Sequence, residues 1–266
     1  MIIHNAPVKN MPDKNFIAII PSRLGSTRLP RKVLADINGQ PLIWHVWHHV
    51  NKATLVSRVI IATDSKEIQT IAQNFGAEVL LTSKRCRSGT ERIASIINDL
   101  DGDLIINIQG DEPLIDPQLI DDLIIKWREK PCDIITAARR ITDPSLLSNS
   151  NVVKVVRAFD GRALYFSRSP VPHVRDQKIS EWLKHGHFWQ HIGIYGYSRK
   201  LLEAYPNLPV SPLEAMEKLE QLRFLEAGYT IRVIETEYQP HPVDVQADLD
   251  EVRLILEKNE GLYDIN

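Results

Sequence analysis

The sequence predicts an α/β fold in which a mostly parallel central sheet is flanked by helices. Short apolar runs alternate with helical patterns through about residue 140, as parallel strands joined by crossover helices require. The run at 104–108, LIINI, is nearly continuous in its apolar character, which is typical of a strand covered on both faces. With 266 residues, the chain is long enough to bury the core of one large domain.

The first half carries the regular part of this pattern. Predicted strands, each short and apolar, lie at 16–20, 58–63, 78–81, 104–108 and 133–138. Predicted helices lie at 41–50, where Pro41 suits a first helical position, and at 66–75, 88–99 and 117–130. These units predict a doubly wound parallel sheet.

The pattern changes after residue 140. Two runs joined by Asp160-Gly161 predict a hairpin, and residues 169–187 form a long polar excursion of the kind that often carries binding function or a subunit contact. The remaining elements are predicted as hairpin strands at 151–158 and 163–167, strands at 191–197 and 230–236, and helices at 211–227 and 247–258.

Composition narrows the function classes. A net charge of −2 gives no basic footprint, so we expect no nucleic-acid partner. The cysteines, Cys86 and Cys132, form no CxxC motif, which argues against a disulfide framework. No run is long and apolar enough to cross a membrane or to form a signal peptide. We therefore expect a cytoplasmic protein without membrane insertion.

A basic loop follows the first predicted strand. Residues 21–32, PSRLGSTRLPRK, carry Arg23, Arg28, Arg31 and Lys32. A solvated basic turn is one interpretation. The other is a phosphate cradle, in which these cations neutralise a triphosphate while Ser26 and Thr27 donate hydroxyls. The loop matches neither the dinucleotide nor the P-loop fingerprint.

Two further motifs adjoin predicted elements. SGTER at 88–92 has capping-box spacing between Ser88 and Glu91, and a helix N-terminus also offers N–H groups to a nucleotide. QGDEP at 109–113 follows the central strand. These are ordinary turn residues, but they also place Asp111 at the carboxyl end of a strand, where open α/β sheets bind ligands.

A second aspartate, Asp244, lies in HPVD just before the last predicted helix. Asp111 and Asp244 could share one Mg²⁺, which often takes one or two carboxylates together with phosphate oxygens and water. Cations and Mg²⁺ around a triphosphate suggest phosphoryl or nucleotidyl transfer.

Together with further motifs, these stretches resemble the 3-deoxy-manno-octulosonate cytidylyltransferases, the CMP-Kdo synthetases of lipopolysaccharide assembly. The resemblance spans residues 16 to about 256. The motifs that carry it are PSRLGSTRLPRK (21–32), ATD (62–64), SGTER (88–92), QGDEP (109–113), NVVKVV (151–156), ALYFSR (163–168), HIGIYGY (191–197), SPLEAMEKLEQLR (211–223) and PVDVQADL (242–249).

The resemblance implies a Rossmann-like nucleotide-diphospho-sugar transferase fold and a homodimer that makes CMP-Kdo and pyrophosphate from CTP and Kdo. It implies one domain at 16–258 between an extension at 1–15 and a tail at 259–266. Residues 16–140 would bind the nucleotide, 141–240 would bind the sugar and form the dimer, and 241–258 would return to the metal site.

It also implies roles for single residues. Arg23 and Lys32 would hold the triphosphate, with Asp111 and Asp244 on Mg²⁺; these four would be the catalytic residues. Arg87, Ser88 and Gln109 would bind cytosine and ribose. The sugar-acid pocket would be lined by Arg168, Arg175, His191, Tyr195, Glu220 and Gln221.

Simpler interpretations of the sugar residues stay open. Glu220 and Arg223 have the spacing of a helical ion pair, and Tyr195 alternates in a strand where an aromatic ring can be core. The sequence also departs from the family pattern, with Arg31 and Pro242 in place of common glycines and Val245 in place of a common threonine. Arg31 would change the loop or add a phosphate contact.

Two other functions fit the same motifs. One is cytidylyl transfer to another acidic sugar, such as sialic acid, against which HIGIYGY and LEQLR argue, or an amino analogue of Kdo. The other is a non-catalytic nucleotide-binding regulator. Retention of both Asp111 and Asp244 argues against the regulator, because ligand binding alone would not need two metal ligands.

Overall fold

The structure is a computed structural model that describes residues 15–26 and 28–263. Residues 1–14 of the predicted extension lie outside the described residues, as do Thr27 and residues 264–266. Within the described ranges, no helix combines the length and the apolar character needed to cross a membrane.

The strands build a nine-stranded sheet and a small two-stranded one. Their bounds are β1 (Phe16–Ser22), β2 (Asp36–Ile37), β3 (Gln40–Pro41), β4 (Arg58–Thr63), β5 (Glu78–Leu81), β6 (Leu104–Asn107), β7 (Ile134–Arg140), β8 (Lys154–Arg157), β9 (Ala163–Ser167), β10 (Trp189–Ser198) and β11 (Ile231–Glu235).

The main sheet has the order β11-β7-β10-β6-β1-β4-β5. Neighbours β6, β1, β4 and β5 pair in parallel, as do β7 and β11. Strand β10 runs antiparallel between β6 and β7, and the predicted hairpin, β8 with β9, attaches to its beginning. The prediction of a mostly parallel sheet is confirmed.

The helices cover both faces of the sheet. Their bounds are α1 (Leu42–Val50), α2 (Lys66–Asn74), α3 (Gly89–Ala94), α4 (Pro117–Glu129), α5 (Pro144–Ser148), α6 (Arg199–Ala204), α7 (Pro212–Glu217), α8 (Gln221–Glu226) and α9 (Gln246–Tyr263). Single 3₁₀ turns lie at Lys32–Leu34, Ile97–Asp99 and Tyr205–Asn207, and a longer 3₁₀ segment lies at Ile179–Lys184.

Alternation along β1 explains why both faces need cover. Phe16, Ala18 and Ile20 pack in a cluster with α1, α2, α4 and α9, whereas Ile17 and Ile19 pack in a second cluster with α3, α6 and α8. Successive strand side chains point to opposite faces, so an apolar run without polar gaps is buried on both. In a third, smaller cluster, Trp182 of the 169–187 excursion packs with Ile141, Leu147 and Phe188.

Two predicted helices are shorter than expected. The helix predicted at 88–99 ends at Ala94 because the Ser95 hydroxyl donates to the Arg92 carbonyl (2.7 Å), the acceptor that an α-helix would offer to Ile96. The helix predicted at 211–227 breaks at Lys218, whose φ of 54° is left-handed.

Other helix ends differ by a few residues. Pro41 is the residue before α1 rather than its first helical residue. The closing helix runs to Tyr263, five residues into the segment that the sequence suggested as a tail.

Candidate active site

A cavity of about 380 Å³ lies at the carboxyl ends of β1 and β6. Its walls are the basic loop after β1, the start of α3, the residues after β6 and the segment before α9. It brings together all seven residues that the resemblance assigned to nucleotide and metal: Arg23, Lys32, Arg87, Ser88, Gln109, Asp111 and Asp244.

Gly110 allows the end of β1 to lie close to the residues that follow β6. A Cβ atom on Gly110 would lie 2.9 Å from the Pro21 carbonyl oxygen and 3.0 Å from the Ser22 hydroxyl. Both distances are too short for a side chain, so glycine is required by the close contact between the two strand ends.

Asp111 and Asp244 meet in the cavity on either side of the Lys32 ammonium. Lys32 Nζ lies 2.6 Å from Asp111 Oδ2 and 3.0 Å from Asp244 Oδ1, and Arg28 Nη2 lies 3.0 Å from Asp244 Oδ2. Burial lowers the pKa of Lys32, but the two carboxylates outweigh it and the pKa lies above its ordinary value. The ammonium is therefore charged.

Local hydrogen bonds fix the position of Asp244. The Val243 N–H donates to the Asp111 carbonyl (2.9 Å), which joins the two aspartate segments directly. One carboxylate oxygen of Asp248 accepts the N–H groups of Asp244 (2.8 Å) and Val245 (2.9 Å). Because Val245 immediately precedes α9, Asp248 forms the acidic half of a capping box.

The donor set fits a hard divalent cation. Two carboxylates already converge on one positive charge, and Mg²⁺ commonly takes one or two carboxylates with phosphate oxygens and water. Among the described residues, no cluster of three or more His, Cys, Asp or Glu side chains could hold a metal ion. A metal at this point would therefore need further ligands from a substrate or water.

Ser88 joins the nucleotide wall to the second half of the chain. Its hydroxyl accepts the Glu91 N–H (3.1 Å) as the N-cap of α3 and donates to Glu220 Oε1 (2.7 Å). Thr90 and Tyr205 also donate their hydroxyls to the Glu220 carboxylate, each at 2.6 Å. The Glu220 carboxylate therefore faces the start of α3.

The helical-pair alternative for Glu220 does not describe the structure. Arg223 instead forms a two-point ion pair with Glu214, with distances of 2.6 Å and 2.9 Å. This pair lies beside Tyr205, whose ring is 5.5 Å from the Arg223 guanidinium carbon.

Three other sugar-pocket residues cluster beside the cavity without lining it. The Tyr195 hydroxyl donates to Gln221 Oε1 (3.3 Å), and the His191 and Tyr195 rings lie 5.3 Å apart. Burial lowers the pKa of His191 to about 3, so its imidazole is neutral. Gln109 donates to the carbonyl of Gly193 (3.2 Å), within the bulge of β10, and this contact links the cluster to the cavity.

The two arginines predicted for the sugar acid lie away from the cavity walls. Arg168 donates to the carbonyls of Glu217 (2.7 Å), Ser150 (2.9 Å) and Lys218 (3.4 Å). It thereby satisfies carbonyls at the break between α7 and α8, which explains why that helix is divided. Arg175 is 91% exposed and is paired with Asp176 at 3.3 Å.

Comparison with known proteins identifies the family. A family model described as cytidylyltransferase matches residues 17–233. The 3-deoxy-manno-octulosonate cytidylyltransferase of Solibacter usitatus is 44% identical over 244 residues, which are 91% of this chain and 94% of the relative. That of Polynucleobacter asymbioticus is 47% identical over 247 residues, with 91% and 96% covered. The chain belongs to the 3-deoxy-manno-octulosonate cytidylyltransferase family. It is therefore a nucleotidyltransferase.

Solved structures agree with this assignment. A structure of CMP:2-keto-3-deoxy-manno-octonic acid synthetase complexed with CTP has a TM-score of 0.87 at 36% identity, covering 92% of this chain and 99% of that one. The 4-diphosphocytidyl-2C-methyl-D-erythritol synthase of Anaerococcus prevotii, with a TM-score of 0.60 at 15% identity and coverage of 92% and 99%, shares the fold. The predicted Rossmann-like transferase fold is confirmed.

The structure shows the surroundings of two residues that depart from the expected family pattern. Arg31 adopts a left-handed φ of 58°, the conformation that a glycine supplies without strain. Its side chain pairs with Glu67 and does not line the cavity. Val245 occupies the N-cap of α9 without a side-chain acceptor, and Asp248 keeps the other half of that cap.

Sequence reasoning missed several residues around the cavity. Asp248 had a local signal, since an acidic residue at the third helical position often binds the N-cap N–H. Thr90 and Tyr205 had none, because their contacts with Glu220 join distant segments. Glu112, beside Asp111, accepts the Tyr238 hydroxyl (3.0 Å), and burial raises the pKa of Glu112 to about 7.

Proposed function

We propose that this enzyme transfers CMP from CTP to 3-deoxy-D-manno-octulosonate (Kdo), releasing pyrophosphate and supplying CMP-Kdo for lipopolysaccharide biosynthesis. The observation that carries the proposal is the meeting of Asp111 and Asp244 in a cavity walled by the basic loop. The names of the relatives and the CTP complex of the similar synthetase supply the substrates.

The proposed nucleotide site follows from the cavity walls. Arg23 and Lys32 would bind the triphosphate, because cations on one loop can neutralise several phosphate oxygens. Arg87, Ser88 and Gln109 would hold cytosine and ribose. Ser88 and Gln109 are both anchored to the second half of the chain, at Glu220 and at the Gly193 carbonyl, so this wall is held in place before substrate binds.

Asp111 and Asp244 would hold Mg²⁺. When bound, the metal would stabilise negative charge developing on the phosphate oxygens. The chain's own part is to fix the two carboxylates, which it does through the Val243 N–H bond to Asp111 and through Asp248. Asp111, Asp244, Arg23 and Lys32 are the proposed catalytic residues.

The proposed sugar site is the cluster beside Gln109. Neutral His191, Tyr195 and Gln221 offer mixed donors and acceptors for hydroxyl groups, and Glu220 would join them from the wall it shares with Ser88. The N–H groups of Arg168 beyond its three carbonyl contacts, together with exposed Arg175, would bind the Kdo carboxylate. The anomeric oxygen would then form a bond to the α-phosphorus by in-line attack as the bond to pyrophosphate breaks. Pyrophosphate would leave, and the hydroxyl proton would pass to water.

The test is pyrophosphate release from a panel of substrates with Mg²⁺. We expect turnover with CTP and Kdo, and far less with ATP, because a site built for one base edge leaves polar groups unpaired with another. The sugar panel includes 8-amino-Kdo and sialic acid. Preferential turnover of either one would replace Kdo in the proposal, and equal turnover of CTP and ATP at low concentration would refute cytidine specificity.

We also propose a cytoplasmic homodimer. Its interface would use the second half of the chain, which exposes Phe159 (115% of the reference area), Val210 (88%), Met216 (71%) and Leu164 (57%). Large exposed apolar side chains are typical of interfaces when they form a patch. Light scattering should give twice the 30.4 kDa chain mass, and Leu164→Glu should shift it toward the monomer. A monomeric wild-type protein would contradict this.

A further inference from the structure

The Lys32 ammonium lies at the point where the carboxylates of Asp111 and Asp244, the proposed metal ligands, converge. We propose that Lys32 is a built-in counter-cation that closes the metal site until a nucleotide draws the lysine away, so that free enzyme binds a divalent cation weakly. The inference rests on the proposed Mg²⁺ site and goes beyond it, because it assigns the order in which the site becomes available.

The ammonium and a metal would use the same carboxylate oxygens. Lys32 Nζ contacts Asp111 Oδ2 at 2.6 Å and Asp244 Oδ1 at 3.0 Å. Its side chain is only 13% exposed, so these are partly desolvated, charge-assisted hydrogen bonds. A divalent cation that bridges the two carboxylates must first displace this ammonium.

The lysine side chain can move while its backbone stays fixed. Lys32 begins a 3₁₀ turn in which its N–H donates to the Leu29 carbonyl (3.2 Å) and its carbonyl accepts the Ala35 N–H (2.9 Å). The adjacent residue, Val33, is buried in the hydrophobic cluster that includes α1, α2, α4 and α9. Rotation of the flexible side chain is therefore the way to free the carboxylates.

A triphosphate would offer the ammonium another anionic partner. Arg23 and Arg28 line the same cavity, so phosphate groups would bind beside Lys32. A lysine that moves to a phosphate oxygen keeps a charge-assisted bond and exposes both aspartates. The divalent cation would then bind tightly only after the nucleotide has engaged the lysine.

The first test measures Mn²⁺ binding without nucleotide, by electron paramagnetic resonance, for wild type and Lys32→Met. Methionine keeps an unbranched chain and removes the charge. We expect the Mn²⁺ Kd of the variant to be about 10- to 100-fold lower, the range of one hydrogen bond to a charged group. An equal or higher Kd in a folded variant would overturn the inference.

Arg28→Met is the matched control. Arg28 also pairs with Asp244, but its side chain is 65% exposed and it contacts only Oδ2, the oxygen that Lys32 does not contact. We expect its removal to change the Kd less than about threefold, as for an exposed ion pair. An equal fall in the Mn²⁺ Kd of both variants would mean that the loss of any nearby positive charge raises the affinity, whether or not that charge lies between the two carboxylates. The inference would then fail.

A second test uses the wild-type protein, so its result does not depend on whether a variant folds. The rate at which acetic anhydride labels Lys32, measured by mass spectrometry, should rise as Mn²⁺ saturates the protein. Exposed Lys200 is the internal control, and its labelling rate should not change. An unchanged Lys32 rate at saturating Mn²⁺ would overturn the inference.

Neither readout involves a sugar or turnover, so an error in the Kdo assignment would leave both results intact. If neither wild type nor Lys32→Met binds Mn²⁺, the metal site and this inference fail together, whatever the substrate panel shows.

Discussion

Val245→Thr should stabilise the protein through the start of α9. The helix begins at Gln246, and the carbonyl of Val245 already accepts the Leu249 N–H at 3.3 Å, so Val245 occupies the N-cap position. Valine has no side-chain acceptor for the free N–H groups of the first turn. A threonine hydroxyl would accept the N–H of Asp248, and together with the existing Asp248 contacts it would complete a capping box.

The expected gain is about 1 kcal/mol, the usual contribution of an N-cap hydroxyl. This corresponds to a rise in melting temperature of about 2 °C for a chain of this size. Urea unfolding followed by circular dichroism measures the change in the free energy of unfolding. Val245→Ala is the control, because it shortens the side chain without adding an oxygen. A threonine variant no more stable than the alanine variant would refute the capping argument.

Three further predictions concern the second half of the site. Arg168→Lys keeps the charge but loses the planar guanidinium, which reaches three carbonyls and is proposed to bind the Kdo carboxylate. It should raise the Kdo KM more than the CTP KM, and the reverse order would place Arg168 on the nucleotide side. Tyr205→Phe removes a donor to Glu220, which also accepts the hydroxyl of Ser88 in the proposed nucleotide site. It should raise the CTP KM about 3- to 10-fold with less effect on kcat, whereas an unchanged CTP KM would make the contact purely structural. The His191 ring resonances in NMR spectra should not titrate between about pH 5 and 8; a midpoint near the ordinary 6.5 would contradict its lowered pKa.

Local pattern was sufficient for most strands of the sheet. The run at 104–108 and the strand beginning at Phe16 were predicted because continuous burial leaves an apolar pattern in the sequence. The antiparallel placement of β10 between β6 and β7 could not be predicted, since it depends on pairing between distant segments. The break at Lys218 depends in the same way on Arg168, which binds the carbonyls at that point.

The residues predicted to bind nucleotide and metal lie in one cavity because their motifs follow strand ends, and parallel strands place those ends at one edge. The bridging position of Lys32 had no signal in the sequence, which suggested only that this residue could bind phosphate. The positions of the residues predicted to bind the sugar acid were harder still to predict. Arg168 and Arg175 carry the right chemistry for a carboxylate, but their positions are set by the α7–α8 break and by the exposed excursion.

We expect Asp111 and Asp244 to act as one unit in nucleotidyl transfer. The most direct measurement is steady-state pyrophosphate release from CTP and Kdo by Asp111→Ala and Asp244→Ala over a Mg²⁺ titration, with circular dichroism as the folding control. Each substitution should lower kcat by on the order of 10³-fold, the scale of one lost electrostatic stabiliser. A well-folded Asp244→Ala enzyme that keeps more than about a tenth of wild-type kcat, far short of that loss, would contradict the shared site.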